Sequence, residues 1–432
     1  MTAPLKIAVA GLGTVGAGLV RLLQQQAELL ESRCSRRLEV TAVSARDRDR
    51  DRGVDLSTAE WFDSPEAMAR DADVDVVVEL IGGENGVAKD VCEVAIANGR
   101  AVVTANKALL AHHGTALARA AEEAGVALCY EAAVAGGIPI VKALREGLAG
   151  NRVERIYGIL NGTCNYILTE MRVSGREFSE VLDDAQSLGY AETDPSFDVD
   201  GIDAAHKLAI LTSLAMGCEV DFDSVHIEGI RHVSAQDIAF ADELGYRIKL
   251  LGIARRTADG TEQRVHPCMV RLETPIAHVE GVYNAVVADG DFVGTCVFEG
   301  RGAGAGPTAS AVAADLVDIA RGVQVPAFVL PAAKLAPSHT SPMDRHQGAY
   351  YVRLMVVDRP GVIADVSAVL RDEQVSMESM LQRARAPGEP VPVVITTHET
   401  REASMARALV RIGDLDSIVE SPRMIRIETL ER

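Results

Sequence analysis

The run Leu5-Lys6-Ile7-Ala8-Val9-Ala10-Gly11-Leu12-Gly13-Thr14-Val15-Gly16 decides how the first third of the chain folds. A short apolar run stops at a glycine, passes through G-x-G-x-x-G, and gives way to helical spacing over 18–30, which reads as strand, tight turn and helix. In that context the glycines let the backbone approach a pyrophosphate, which sits on the positive end of the helix. Gly11, Gly13, Thr14, Val15 and Gly16 are therefore expected to bind a dinucleotide; the plain alternative is a tight turn without a ligand. The second strand, 38–44, would ordinarily end in an acid for the ribose 2'-hydroxyl, but this one runs into Ala45-Arg46. A guanidinium there can pair with a 2'-phosphate, which favours NADP while leaving NAD possible. The arginines of 46–50 also fit a solvated charged loop.

The alternation continues outward. A buried strand over 74–81 ends at Gly82-Gly83, and a helix over 87–97, a strand over 101–104, a helix over 109–124 and a strand over 126–131 follow. This is a doubly wound α/β sheet. Ligands in such sheets bind beyond the carboxyl ends of the strands, where Ala105-Asn106-Lys107 falls, so Lys107 is a functional candidate as well as an ordinary surface lysine at a helix start.

Composition bounds the rest. The chain has 432 residues, 48% of them hydrophobic, enough for two or three domains. Lys+Arg 43 against Asp+Glu 62 gives a formal charge of -19, which argues against nucleic acid or an anionic membrane surface as partner. The seven cysteines are odd in number, scattered, and never spaced C-x-x-C, so neither a disulfide framework nor a zinc site is indicated. A reducing cytoplasm fits. No targeting leader and no apolar run of spanning length is read, so a soluble protein is expected.

A second stretch carries the chemistry. Gly189 to Lys207, GYAETDPSFDVDGIDAAHK, places five carboxylates ahead of one lysine, and the apolar run after it reads as a buried helix. Asp203 and Lys207, four apart, share one face near its start, while Glu192, Asp194, Asp198 and Asp200 fall on a loop with turn chemistry. One reading is a solvated acidic loop before a helical ion pair. The sharper one is a site for a small zwitterion, in which carboxylates hold an ammonium and the lysine works on an oxygen, its pKa lowered by burial or by a second cation such as Lys107.

Gly189-Tyr190-Ala191-Glu192-Thr193-Asp194-Pro195, followed by Asp198, Asp203 and Lys207, resembles the substrate motif of the homoserine dehydrogenase family, and the resemblance covers essentially the whole chain. It implies NAD(P)-dependent interconversion of L-homoserine and L-aspartate 4-semialdehyde. Glu192 and Asp198 would hold the substrate ammonium, Asp203 and Lys207 would belong to the catalytic apparatus, and Lys107 would contact cofactor and substrate as a second catalytic candidate. At Glu131-Ala132-Ala133-Val134-Ala135-Gly136-Gly137-Ile138-Pro139 small residues expose carbonyls around one carboxylate. That suits a monovalent cation or a tight strand-to-helix turn. The resemblance implies sodium held by Glu131, Val134, Gly136 and Ile138.

Asn161-Gly162-Thr163-Cys164-Asn165-Tyr166, after a strand over 155–160, resembles the family's N-G-T-x-N-Y turn. Asn161 or Thr163 can cap the next helix, and its first amides can receive a carboxylate, so a substrate-facing role stands beside the capping one. Cys164 invites a rival, a thioester-forming semialdehyde dehydrogenase, but no histidine activator is signalled nearby, and Cys164 is read as packing. His206 reads as a core or surface histidine. Strands over 247–254, 264–272, 281–288 and 293–298 make a second, α+β substrate and dimerisation domain. Gly300-Arg301-Gly302-Ala303-Gly304-Ala305-Gly306-Pro307-Thr308 precedes a helix to 321; the resemblance implies that this helix returns to the cofactor domain with Gly304 close to the nicotinamide, and the alternative is a hinge.

Prolines 326, 331, 337 and 342 mark 323–348 as a linker. Beyond it the pattern spells β-α-β-β-α-β and resembles a ferredoxin-like ACT domain over 349–432, with Gly361 in a regulatory turn and threonine as effector. A dimerisation module without a ligand is the alternative there, and a non-catalytic NADP-binding sensor is the second rival for the whole chain. The expected division is 1–135 for the Rossmann domain with return helix 304–321, then 136–322, the linker, and 349–432. The expected assembly is a homodimer or homotetramer.

Overall fold

Residues 3–383 and 388–430 are described by the computed structural model. Six parallel strands form the first sheet in the order Glu60–Trp61, Leu38–Ser44, Leu5–Ala10, Val76–Glu79, Ala101–Thr104, Leu128–Cys129. Helices cover both faces, so the strands are apolar runs rather than alternating ones: Ile7, Val9, Val76, Val77, Val78, Val102 and Val103 have no exposure at all. The strand order reverses between Leu5–Ala10 and Val76–Glu79, which opens a crevice at their carboxyl ends. Gly11 turns the chain there at φ 97, and a Cβ on it would lie 2.6 Å from the Leu80 carbonyl oxygen. Helix Thr14–Gln25 follows, and helix Ala305–Ala320 comes back from far along the chain to pack across it, with Gly18 against Ala305.

A second sheet of eleven strands runs Gly294–Arg301, Tyr283–Gly290, Val153–Ile159, Tyr246–Thr257, Gly260–Arg271, Arg423–Glu428, Gln347–Val357, Pro390–Thr397, Met377–Leu381, with two short strands beside this path. The C-terminal β-α-β-β-α-β unit is present, its strands ordered fourth, first, third, second, and its helices are Val362–Asp372 and Glu402–Gly413. Its last strand pairs in parallel with Gly260–Arg271, Cys268 opposite Arg426 and Val270 opposite Glu428. The unit is thus an extension of the middle sheet.

Ionic contacts bolt this junction. Arg264, 1% exposed, is paired with Glu428. Arg426 joins Glu402 of its own unit to Glu228 of the middle one, and Arg353 and the Tyr351 hydroxyl both bond Asp237. Buried pairs of this kind add little net stability but cost about 3–5 kcal/mol when one partner is removed, because the other is left buried and unpaired. The proline-rich segment ahead of the unit is stitched down as well. Phe328 is fully buried, the Tyr130 hydroxyl donates to the Ala327 carbonyl, and Ala336 and Thr340 bridge to Cys218 and Thr261. Among the described residues no helix is long and apolar enough to cross a membrane.

A chain ending at Ser341 should therefore be damaged, because it bares the edge of Gly260–Arg271 and leaves Arg264 without Glu428. Its melting temperature should fall by at least ~5 °C relative to the full chain, with aggregation. An unchanged melting temperature and a monodisperse profile in gel filtration would count against a shared sheet.

Candidate active site

The crevice beyond the parallel strands opens into a cavity of about 580 Å³. One wall carries Val15, Ala105, Gly304 and Thr308; the other carries Asn161, Thr163, Asp198, Asp203 and Lys207, with Lys107 between them. Helix Ile202–Met216 presents the catalytic candidates. Gly201, at φ 87, turns the acidic loop into it, and Asp203 and Lys207 then fall one turn apart on the side facing the cavity.

Asp203, 3% exposed, is the hub of this wall. Its Oδ2 accepts from Lys207 Nζ at 2.7 Å and from Asn161 Nδ2 at 2.8 Å, and its Oδ1 lies 2.9 Å from Lys107 Nζ. Lys207 also donates to the Leu160 carbonyl at 2.7 Å. An ammonium has three N–H donors, so one remains for a group in the cavity. Asn161 uses both of its own: Nδ2 donates to Asp203 and to Asp198 Oδ1 at 2.8 Å, while Oδ1 accepts the Cys164 amide and caps helix Gly162–Ser174.

Lys107 is placed by a second network, rooted in Glu79 at the end of its strand. Glu79 is fully buried and accepts from the Ile81 and Gly82 amides and the Thr104 hydroxyl. Thr104 in turn accepts the Asn106 amide, and Asn106 caps helix Lys107–Ala124 while donating to the Gly83 carbonyl. Lys107 Nζ sits 5.5 Å from the centre of the Phe197 ring.

Electrostatics separates the two lysines. Burial and the charge of Lys107 hold the Lys207 ammonium below the ordinary lysine value, although Asp203 pulls the other way. Burial also lowers Lys107, but Asp203, Asp198 and Glu192 outweigh it and leave that lysine above the ordinary value. Asp203 would be raised by burial, yet the two lysines hold it well below the usual carboxylate range. Burial and the charge of Asp203 raise Asp198, with Asn161 opposing.

The remaining candidates fall in several places. Thr163 donates to the Tyr190 carbonyl, and Tyr190 stacks edge-on to Tyr166. Glu192 is exposed and does not line the cavity, though its charge reaches Lys107. On the cofactor side Gly13 has open space where a Cβ would be, and the helix it starts has no side-chain cap, which leaves amides and room for a phosphate. Arg46 is exposed and makes no hydrogen bond or ion pair among the described residues, whereas Arg48 and Arg52 lie over the Trp61 ring. Glu131, 2% exposed, caps the next helix by accepting the Val141 and Lys142 amides, and burial together with Asp315 pushes its carboxyl up to about 7. Ala135 and Gly136, a few residues on, both have positive φ. Gly361 starts helix Val362–Asp372 at φ 99.

Cys164 is fully buried, donates to the Asp198 carbonyl, and has its thiol pushed well up by burial, so it is packing and no nucleophile. His206 is buried against Phe222 with its Nδ1 unpartnered, and burial lowers it to about 4. Sequence reasoning missed Glu79 and Asn284, whose buried Oδ1 at the cavity wall has no partner among the described residues. A lone amide in a strand carries no local signal. The tight glycine at 302, whose Cβ would lie 2.2 Å from the Asn284 amide nitrogen, was the available hint.

Family models match three spans: homoserine dehydrogenase over 139–317, the NAD binding domain of homoserine dehydrogenase over 11–131, and an ACT domain over 350–414. The homoserine dehydrogenase of Neisseria gonorrhoeae is 45% identical over 433 residues, covering 99% of each chain. The crystal structure of a homoserine dehydrogenase from Thiobacillus denitrificans superposes with a TM-score of 0.94 at 44% identity, covering 99% of each chain. A hyperthermophilic archaeal homoserine dehydrogenase in complex with NADPH gives a TM-score of 0.64 at 27% identity, over 75% of this chain and all of that one.

The double duty of Asn161 can be split experimentally. Asn161→Ala removes the cap and the clamp, so it should cost about 1 kcal/mol of stability and at least ~10-fold in kcat/KM. Asn161→Ser keeps a capping oxygen and loses the clamp; it should recover the stability and not the rate. Recovery of both by the serine variant would mean that the clamp has no catalytic consequence.

Proposed function

Because the chain belongs to the homoserine dehydrogenase family and so interconverts L-homoserine and L-aspartate 4-semialdehyde, we propose that Lys207 is the group that exchanges the proton on the reacting oxygen. The observation that carries this is the Lys207 ammonium: buried, lowered in pKa, bonded to Asp203 and Leu160, and left with one N–H toward the cavity. The turn of Gly11, Gly13 and Gly16 would hold a nicotinamide cofactor, which would supply the hydride chemistry at the substrate carbon. In the reducing direction Lys207 donates its proton as the carbonyl becomes a hydroxyl; in the oxidising direction the neutral amine takes it back. Asp203 holds the lysine in position and balances its charge. Lys107 lowers the Lys207 pKa and stabilises negative charge developing on the oxygen. Asp198 at the cavity wall and Glu192, whose charge reaches Lys107 from outside it, hold the ammonium, and Thr163 and the open first turn of helix Gly162–Ser174 receive the carboxylate.

NADP is the preferred cofactor in this reading, with NAD still accommodated; its support is that Arg46, just after the second strand, is exposed and unpaired among the described residues, and so free to meet a 2'-phosphate. A sodium ion held by the Glu131 carboxylate and by carbonyls of Val134, Gly136 and Ile138 belongs to this reading; its support is that burial and Asp315 raise the carboxyl to about 7 while Lys142 Nζ is paired with Asp315 and Asp318 rather than with Glu131. Residues 1–135 with the return helix form the cofactor domain, 136–322 the catalytic domain, and 349–432 a regulatory ACT domain in which Gly361 helps bind threonine. Dimer or tetramer formation is supported by the open edge strand Gly294–Arg301, whose neighbouring hairpin leaves Phe292 89% exposed beside Val293 and Val297. The thioester rival has no accessible thiol at Cys164, and a non-catalytic sensor gives no account of two lysines sharing one buried carboxylate.

Lys207→Ala should lower kcat by at least the ~100-fold typical of losing a general acid or base, with NADPH binding measured by fluorescence unchanged. A near-normal rate would remove Lys207 from the proton transfer.

A further inference from the structure

A second cavity, about 1060 Å³ and sharing no lining residue with the first, lies where the C-terminal unit meets the middle sheet. Its walls come from hairpin Tyr246–Thr257 and Gly260–Arg271, from residues 341–347, and from the first turns of helix Glu402–Gly413. Four guanidiniums face it, those of Arg255, Arg345, Arg401 and Arg407. Most of the carboxylates around them are already engaged. Glu262 is bonded by Arg255 and approached by Arg264 and His346, Asp259 is paired with Arg345, and Glu373 holds Arg407. Two charged side chains in the wall have no ion pair or hydrogen bond among the described residues: Arg401 and Asp344.

The position of Arg401 is the informative one. It is the N-cap of a 12-residue helix and offers no side-chain cap, so a fixed cation stands at the positive end of the helix dipole, an arrangement disfavoured unless an anion is nearby. The acid in that first turn, Glu402, does not answer it, because its carboxylate is bonded by Arg426 and by the Tyr350 hydroxyl. Each guanidinium has five N–H donors, and Arg407 commits donors only to Glu373 and the Ser404 hydroxyl. The cavity therefore gathers uncommitted planar donors, uncapped helix amides at Ala403 and Ser404, and one unpaired carboxylate.

We infer that this junction cavity binds a small oxyanion, a carboxylate or a phosphate, held by Arg401, Arg407 and Arg345 together with the first helical turn, while a hydroxyl of the ligand donates to Asp344. Such a ligand bridges the C-terminal unit and the middle sheet, so its binding stabilises the junction.

The test uses the full chain saturated with NADPH, so that the glycine turn of the cofactor crevice is not the responder. Thermal shift and calorimetry are run with inorganic phosphate, with L-malate, and with sodium chloride at matched ionic strength, on the unmodified protein and on Arg401→Gln. Arg401 is exposed, and removing a cation from a helix N-terminus leaves the unliganded melting temperature unchanged or slightly higher. The inference expects millimolar phosphate or malate to raise the melting temperature of the unmodified protein beyond the chloride control, with binding at least ~10-fold weaker in Arg401→Gln. Whichever oxyanion acts identifies its source as phosphate or carboxylate. No response beyond chloride, or the same response in Arg401→Gln, overturns it.

Discussion

One buried carboxylate between two ammoniums organises the site. Asp203 has almost no water contact, and taking a charge out of water costs several kcal/mol per ion. A single cation about 4 Å away returns about 4 kcal/mol at an effective dielectric of about 20, so two cations and an amide donor make the ionised form secure. The arrangement is asymmetric. Lys107 is a third exposed and faces Asp198 and Glu192 besides, whereas Lys207 is enclosed, and its counter-charges, Asp203 foremost and Asp198 after it, do not offset its burial and the charge of Lys107. Around one shared carboxylate, Lys107 is therefore held above the ordinary lysine value and Lys207 below it.

Holding that hub in place takes all parts of the chain. Asn161 comes from the end of a strand in the second sheet, Lys107 from the cofactor sheet, and Asp203 and Lys207 from the helix that leaves the acidic loop. The loop itself is braced from behind. Arg231 bonds Asp200 and Ser196, the Ile230 amide donates to the Val199 carbonyl, and Glu228 just before them is held by Arg426 of the C-terminal unit. A contiguous set of contacts thus joins the C-terminal unit to the loop carrying Asp198. Contiguity alone does not regulate anything; a ligand acts across it only by binding two arrangements of these contacts unequally.

Local chemistry made the elements of the cofactor domain and of the C-terminal unit legible. Turn glycines, a strand of continuous apolar residues and helical spacing gave the helices Val87–Ala97 and Val362–Asp372 with their observed ends, because caps and turns are written in adjacent residues. The i to i+4 spacing likewise placed Asp203 and Lys207 on one helix face. Partners distant in sequence were hidden. Nothing near Arg426 or Glu428 announces that their strand docks on Gly260–Arg271, since pairing choice depends on two edges meeting in space. Prolines over 323–348 suggested a tether, yet Phe328 and Ala332 within it are buried, and proline content reports the lack of regular structure rather than the lack of packing. Asn161 was read as a cap or a substrate contact; that its other end clamps two carboxylates follows only from where residues 198 and 203 arrive.

The most direct measurement of the Asp203 account is the pH dependence of kcat/KM for semialdehyde reduction in Asp203→Asn. In the proposed mechanism reduction needs the protonated Lys207, so the rate falls as pH rises through the pKa of that lysine. Asp203 is the group that raises this pKa against burial and against Lys107. With the carboxylate neutralised and Lys107 still in place, the fall should begin at lower pH than in the unmodified enzyme, whatever the residual rate. A descending limb at the same pH in both proteins would contradict the claim that Asp203 sets the charge of the catalytic lysine.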